Sequence, residues 1–462
     1  MAKKAAKKKS TKSTKGGPKG GSNNIKVIKG GRLIDGNGGN VINKPIIVIK
    51  NDRIKEVGVQ GKVKIPAGAE VIDASKYTLM PGMIDLHVHI AAFNPITWNN
   101  YRVSIFEVSR GLQSYYTLFH AQLCFEMGFT TLRDQGRMLP TGQNTVEMCG
   151  LRDAINNGVL SGPRLIVCGR AVITNSHLDL TLPRAHVRVA DDLVADGPWG
   201  LRRMTREQLR HGADFIKTSA SGGGGTDKEA PDVRNMTQEE LDAIVDECHA
   251  FHHACSVHCF TVESHQMCVR AGVDTIEHIV FTDDKTIKMI EEAEIPVVPT
   301  LLHRTDHAIE ARRKSGTPEF ILKKMKTIQP YTFDSFKKFL DSGVKLAMGT
   351  DTGLDPEFGE NAGELELYVK LGMTPMDAIV SATKSAAEAI RLDDDLGTIE
   401  KGKIADILAI DGSPDRDIKV LQEKEKIKMV MKAGGVFVDR FSDTPRYVVH
   451  PAPGPWKKLD DL

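Results

Sequence analysis

Two histidines, His87 and His89, sit two residues apart at the end of the apolar run 82–89. On an extended strand that spacing puts both rings on one face. Two imidazoles so placed can grip one cation from one side. Lys217 lies inside Asp214-Phe215-Ile216-Lys217-Thr218-Ser219-Ala220. A lysine within an apolar strand is costly unless it is paired or modified. Desolvation lowers its pKa and exposes the neutral amine. Such an amine can add carbon dioxide and become a carbamate, an anionic ligand able to bridge two metals. A snorkelling or salt-bridged lysine is the plain alternative. His258 lies near the end of the run 254–260, His278 follows Thr275-Ile276-Glu277, and Asp351 closes Leu346-Ala347-Met348-Gly349-Thr350-Asp351. Each alone would pass for a satisfied core residue. Together they place nitrogen and oxygen ligands at the ends of several strands.

The elements that must position them are strands alternating with amphipathic helices. Eight apolar runs are legible: 82–89, 128–134, 163–169, 213–220, 254–260, 275–280, 296–301 and 344–351. A helix over 237–249 opens on Thr237-Gln238-Glu239-Glu240, a capping box. Another follows Thr374-Pro375, with proline in its first turn. Strand–helix alternation implies a parallel sheet. The fold class is α/β, and eight units over this length predict a (β/α)8 TIM barrel with its site at the strands' C-terminal ends. A doubly wound sheet is the runner-up. Both chain ends have a different texture, short strands punctuated by Gly and Asn/Asp. We expect a small β-sandwich domain from 25–80 and 393–445, the barrel over 81–392, a basic tail over 1–24 and an extension over 446–462.

On these residues the sequence resembles the metal-dependent amidohydrolase superfamily. The motifs are Met80-Pro81-Gly82-Met83-Ile84-Asp85-Leu86-His87-Val88-His89, Gly128-Phe129-Thr130-Thr131-Leu132-Arg133-Asp134, Ile276-Glu277-His278, Gly349-Thr350-Asp351-Thr352 and Gly397-Thr398-Ile399-Glu400-Lys401-Gly402-Lys403-Ile404-Ala405-Asp406. Within it the chain is most similar to the branch of imidazolonepropionase-like proteins, Xaa-Pro dipeptidases and ochratoxinase. The context Phe215-Ile216-Lys217-Thr218-Ser219-Ala220-Ser221-Gly222-Gly223 carries that likeness and argues against a true imidazolonepropionase. The resemblance implies a binuclear site. His87, His89 and Asp351 would hold the first metal, His258 and His278 the second, and carbamylated Lys217 would bridge them beside a hydroxide. Asp351 would carry the proton from nucleophile to leaving nitrogen. Zinc is the expected ion, with cobalt or manganese admitted by the ligand types.

Several positions depart from the branch pattern. Relatives often carry His-x-His in the fifth strand, where this chain has His258-Cys259-Phe260. The segment after strand three reads Thr174-Asn175-Ser176-His177-Leu178-Asp179 in place of Gly-Gly-His-Gly. His177, His303 and Arg304 are candidate substrate contacts, one of them suited to a carboxylate. The loop Ser221-Gly222-Gly223-Gly224-Gly225-Thr226 reads as a mobile clamp or lid, and is no P-loop. His249, His252 and His253 read as surface or cap residues, and Tyr115, Tyr116 and Phe93 as core packing in preference to pocket lining.

The composition bounds the remaining readings. The chain has 462 residues, 40% hydrophobic and 26% charged, which fits a soluble globular protein. No apolar stretch is long enough to span a membrane. Net charge is +2, yet residues 1–24 hold eight lysines and no acid, so the rest is mildly acidic. That tail reads as disordered and solubilising, and without an apolar core it is no secretory signal. Nucleic-acid binding through it is the weaker reading. Seven cysteines and no CxxC suit core thiols in a reducing cytoplasm. The expected function is hydrolysis of carbon–nitrogen bonds in N-acyl amino acids, Xaa-Pro dipeptides or ochratoxin-like amides. The substrate is a small molecule, and the resemblance implies a homo-oligomer. One alternative is a xenobiotic hydrolase of aryl ureas, carbamates or thiocarbamates, like phenylurea and molinate hydrolases; His87, where those carry Asn, counts against it. Another is a non-catalytic scaffold on the same fold, which predicts lost ligands.

Overall fold

The computed structural model describes residues 24–92, 108–136, 145–176, 194–224, 229–353 and 357–449. At the start of the chain, β-branched runs broken by tight turns form β1 (Ile25–Leu33), β2 (Ile42–Asn43), β3 (Pro45–Lys50), β4 (Arg53–Val59) and β5 (Glu70–Pro81). β3 lies antiparallel to β1 and β4, and β5 runs parallel to β1.

The middle of the chain forms parallel strands. β6 (Met83–Val88), β7 (Phe129–Asp134) and β8 (Arg164–Val167) make one sheet. β9 (Phe215–Ser219), β10 (Ala254–His258), β11 (Thr275–Glu277) and β12 (Val297–Val298) make another. These seven fall within seven of the eight apolar runs. The eighth run, 344–351, and the residue after it make isolated bridges: Val297 pairs in parallel with Leu346, and Val88 with Thr352. The segment thus passes between β12 and β6, where the Ala347 amide bonds the Val297 carbonyl at 2.9 Å and the Asp351 amide bonds the His87 carbonyl at 2.7 Å. A third bridge, Val172 with Thr218, joins the β8 side to β9.

Helices connect the strands, and local chemistry sets their ends. Thr237 caps Gln238–Ala250 with both bonds of the capping box, and Thr374 caps Pro375–Ser381. Strands covered by helices bury both faces, which is why they read as continuous apolar runs. Ile216, Val257, Ile276 and Val297 share one core with Leu241 and Ile244 of the helix Gln238–Ala250.

The chain returns through β13 (Ile407–Ile410), β14 (Ile427–Lys432) and β15 (Gly435–Asp439). β13 pairs antiparallel with β5, setting Ala409 opposite Leu79. Both chain ends therefore share one eight-stranded sheet, in the order β15-β14-β13-β5-β1-β3-β4 with β2 on β1. Ile28, Ile47, Ile49 and Ile54 from one end pack with Ile407, Met429 and Met431 from the other.

All seven cysteines are buried free thiols, as expected of core residues. Tyr115 is a correction: it is 72% exposed on the helix Arg110–Glu126 and packs in no core. Among the described residues, no helix is long and apolar enough to cross a membrane.

Candidate metal centre

The ends of these strands bring together residues that lie far apart in the chain. Ligand atoms of His87, His278 and Asp351 all lie within 4.8 Å of one another. One oxygen of Asp351, Oδ1, stands 3.1 Å from His89 Nε2 and 3.5 Å from His87 Nε2. Its other oxygen is 3.3 Å from His303 Nε2. The His278 ring centroid is 4.8 Å from that of His87 and 4.5 Å from that of His258.

Strand geometry alone would not assemble this. Consecutive side chains on a strand point to opposite faces, yet Glu277 and His278 both reach His87. His278 takes a φ of +72°, which breaks the alternation at the end of β11. Thr300 and Asp351 also sit at positive φ, +53° and +61°. Such backbone is strained for a non-glycine residue, most of all for β-branched threonine.

Hydrogen bonds orient all three imidazoles, and for His89 and His87 they also set the tautomer. His89 Nδ1 is 2.5 Å from the Gly136 carbonyl, an acceptor only, so that nitrogen carries the proton. His87 Nδ1 lies 2.8 Å from the Glu277 carboxylate. His278 Nδ1 lies 2.6 Å from the Thr300 hydroxyl. In each ring Nε2 remains for the centre. Burial, helped by Lys217, pushes His87 down to about 4. Burial with His258 and His87 beside it holds His278 well below the usual histidine range. Burial works to raise the Asp351 carboxyl, but His303, His87 and His89 outweigh it and keep it well below the usual carboxylate range. His87 and His278 are thus neutral and the Asp351 carboxylate ionised, the protonation states that metal ligation requires. Burial works to lower His89 as well, but Asp351 and Asp134 outweigh it and raise that ring above the usual histidine range. This donor set fits a divalent cation.

Lys217 lies in β9 opposite Ser256 of β10, with its side chain buried. Burial lowers its ammonium, while Glu277 and Asp351 pull the other way. His258 ends β10, where its Nε2 is 3.2 Å from the Gly222 carbonyl. Gly222 belongs to the glycine-rich loop, and its glycine is a packing requirement: a Cβ there would meet the Ala230 carbonyl at 2.1 Å. His177 and residues 225–226 of that loop lie outside the described residues.

His303 and Arg304 occupy a 3-10 turn, Leu302–Arg304, after β12. The buried Glu364 carboxyl, pushed up to about 8 by burial, accepts the Leu301 and Leu302 amides at 2.7 and 2.6 Å and so fixes the turn. Arg304 lies over the Phe260 ring at 5.2 Å, and that ring packs on His258 at 4.4 Å. The aromatic residue at the departed position thus links the arginine to the centre. Sequence reasoning assigned no role to Glu277, Arg133, Thr300 or Glu364. A usable signal existed for two of them. Arg133 and Glu277 are charges inside apolar strands, the feature that singled out Lys217.

Comparison with known proteins gives this geometry a family. The model of the amidohydrolase family matches residues 78–437. The chain belongs to the amidohydrolase family. Ochratoxinase of Aspergillus niger is 28% identical over 442 residues, covering 89% of this chain and 86% of that protein. A solved Xaa-Pro dipeptidase with methionine bound in its active site superimposes with a TM-score of 0.80 at 31% identity, covering 89% of this amidohydrolase and 99% of the dipeptidase. Molinate hydrolase, at 21% identity and a TM-score of 0.74 over 94% of this chain and 99% of its own, shares the fold.

Proposed function

We propose that this amidohydrolase is a metal-dependent hydrolase of amide or peptide carbon–nitrogen bonds. N-acyl amino acids, Xaa-Pro dipeptides and ochratoxin-like amides are its substrate class. The observation that carries the reading is the convergence of His87, His278 and Asp351 within 4.8 Å in ligating protonation states. Likeness to ochratoxinase and to a Xaa-Pro dipeptidase supports the amide class. In this reading the parallel strands close a (β/α)8 barrel over 81–392, sealed by the bridges on either side of 344–351. The shared sheet folds as a β-sandwich from 25–80 and 393–445. The enzyme is cytoplasmic and homo-oligomeric.

His87, His89 and Asp351 would hold one divalent ion, His258 and His278 a second, and Lys217, as its carbamate, would join both. Zinc is the first choice, with cobalt or manganese next. When bound, such ions polarise the scissile carbonyl and lower the pKa of a ligated water. The chain's own groups do the rest. Asp351 accepts the proton of the attacking water and returns it to the leaving nitrogen as the C–N bond breaks. His303, 3.3 Å from its second oxygen, orients that carboxylate. His303 and Arg304 are the candidate contacts for the substrate's carboxylate, and His177, outside the described residues, is a third candidate from the sequence.

The test loads the protein with zinc in bicarbonate buffer and offers Xaa-Pro dipeptides, N-acyl amino acids, ochratoxin A and aryl ureas. Mass spectrometry should show a free C-terminal amino acid, abolished by chelation and restored by zinc. Release of an aniline without peptide or amide cleavage would replace this reading with a urea or carbamate hydrolase.

A further inference from the structure

Glu277 lies at the centre of the buried polar groups behind the candidate metal centre. It is 0% exposed, and both its oxygens are fully engaged. Oε2 lies 2.8 Å from His87 Nδ1. Oε1 takes Arg133 Nη2 at 2.6 Å, the Thr275 hydroxyl at 2.6 Å and the Ser256 hydroxyl at 2.8 Å. Arg133 also bonds through Nε to the Leu86 carbonyl at 2.7 Å, and Gln135 Nε2 reaches the same oxygen at 2.8 Å. The residue before His87 is therefore clamped through its backbone, and His87 itself through its ring. Strands β6, β7, β10 and β11 each contribute a group. A buried charge is retained only with such pairing.

We propose that Glu277, held by Arg133, is a positioning residue that fixes His87 in its Nδ1-protonated tautomer and aims Nε2 at the metal. The inference rests on the metal-site reading above. An ionised carboxylate can only accept, so the proton on the facing ring nitrogen must belong to His87. A carboxylate behind a ligating imidazole raises its basicity and locks its rotation. A purely structural ion pair would engage Arg133 alone. Here one oxygen is committed to the ligand.

The experiment measures zinc affinity of the full chain by competition with a chromophoric chelator, alongside thermal melts. Glu277→Gln should weaken zinc binding by about 10–100-fold. It should also lower the melting temperature, because Arg133 is left buried and unpaired. The double variant Arg133→Met/Glu277→Gln removes both charges. It should recover most of the melting temperature and none of the zinc affinity, and it decides the matter if the single variant fails to fold. A double variant that binds zinc as tightly as wild type would overturn the positioning role. His87→Ala separates this from failure of the underlying reading. If His87→Ala binds zinc undiminished, the metal site itself is wrong; if it loses zinc while the double variant keeps it, only the role of Glu277 is wrong.

Discussion

Two lysines, Lys217 in β9 and Lys432 in β14, are both pushed below the usual lysine range by burial. Their surroundings differ. Lys432, in the sheet shared by the chain ends, reaches the Gly162 carbonyl and lies 5.5 and 5.3 Å from the rings of Phe125 and Phe437, with Arg164 and Asp406, themselves paired to each other, as the charged groups that act on it. Lys217 faces Glu277, Asp351 and Arg133. A displaced pKa marks burial. Titratable groups converging on one point mark a site. The backbone draws the same contrast. In the shared sheet, positive φ falls at Lys44, Asn51 and Ala433, all exposed. At the centre it falls at His278 and Thr300, both buried, and at Asp351. One region uses left-handed backbone to turn the chain, the other to aim side chains.

The contrast would break most visibly at Asp351. Asp351→Asn should keep the fold by circular dichroism and lose about 10²–10⁴-fold in kcat, since an amide cannot move the proton. An unchanged kcat would remove Asp351 from the chemistry. The two lysines make a matched pair. Lys217→Ala should lose most activity and regain part of it with added short carboxylic acids, whereas Lys432→Met should leave turnover intact. Full activity in Lys217→Ala without rescue would end the carbamate reading. In the shared sheet the expected loss is of stability alone. Ile47→Ala empties a fully buried position and should lower unfolding free energy by about 2–5 kcal/mol in urea titrations, with kcat retained.

Much of this division is visible in the linear sequence. His87 and His89 were legible because a strand's period of two puts them on one face. His278 and Asp351 were legible because each ends an apolar run. The run 296–301 predicts a longer strand than β12, which covers only Val297–Val298. Thr300 takes positive φ and the chain turns into Leu302–Arg304, a departure that a run of apolar residues does not announce. Arg133 and Glu277 each stand out as charges inside apolar strands, but their pairing does not, for another reason. Its partners are 144 residues apart and meet only once the strands are arranged. Apolar periodicity reports which residues are buried, and says nothing of which buried charges face each other.

Lys432 also sharpens the contrast through pH. Its folded pKa, about 8, lies below the ordinary 10.5. Between those values the unfolded chain binds more protons than the folded one, so stability rises with pH. Below pH 8 both states are charged and the burial penalty is complete. Relative to Lys432→Met, wild-type stability should climb across that window by at most about 3 kcal/mol. Parallel stability curves for the two proteins would show that this ammonium is not penalised by the fold.

The smallest expected stability change, at Thr300, is the most diagnostic. Its φ of +53° strains a β-branched residue, and its hydroxyl holds His278 Nδ1 at 2.6 Å. Thr300→Gly relieves strain of about 1 kcal/mol or more and deletes one hydrogen bond of about 1 kcal/mol. The two nearly cancel, so the melting temperature should barely move. The His278 ring, however, loses the partner that sets its orientation, and kcat/KM should fall roughly tenfold. Thr300→Ser keeps the hydroxyl without the second branch, and should keep activity. If Thr300→Gly melted lower yet turned over normally, the strained backbone would be serving the fold, and the distinction between turning and aiming would fail at the position where it is drawn most sharply.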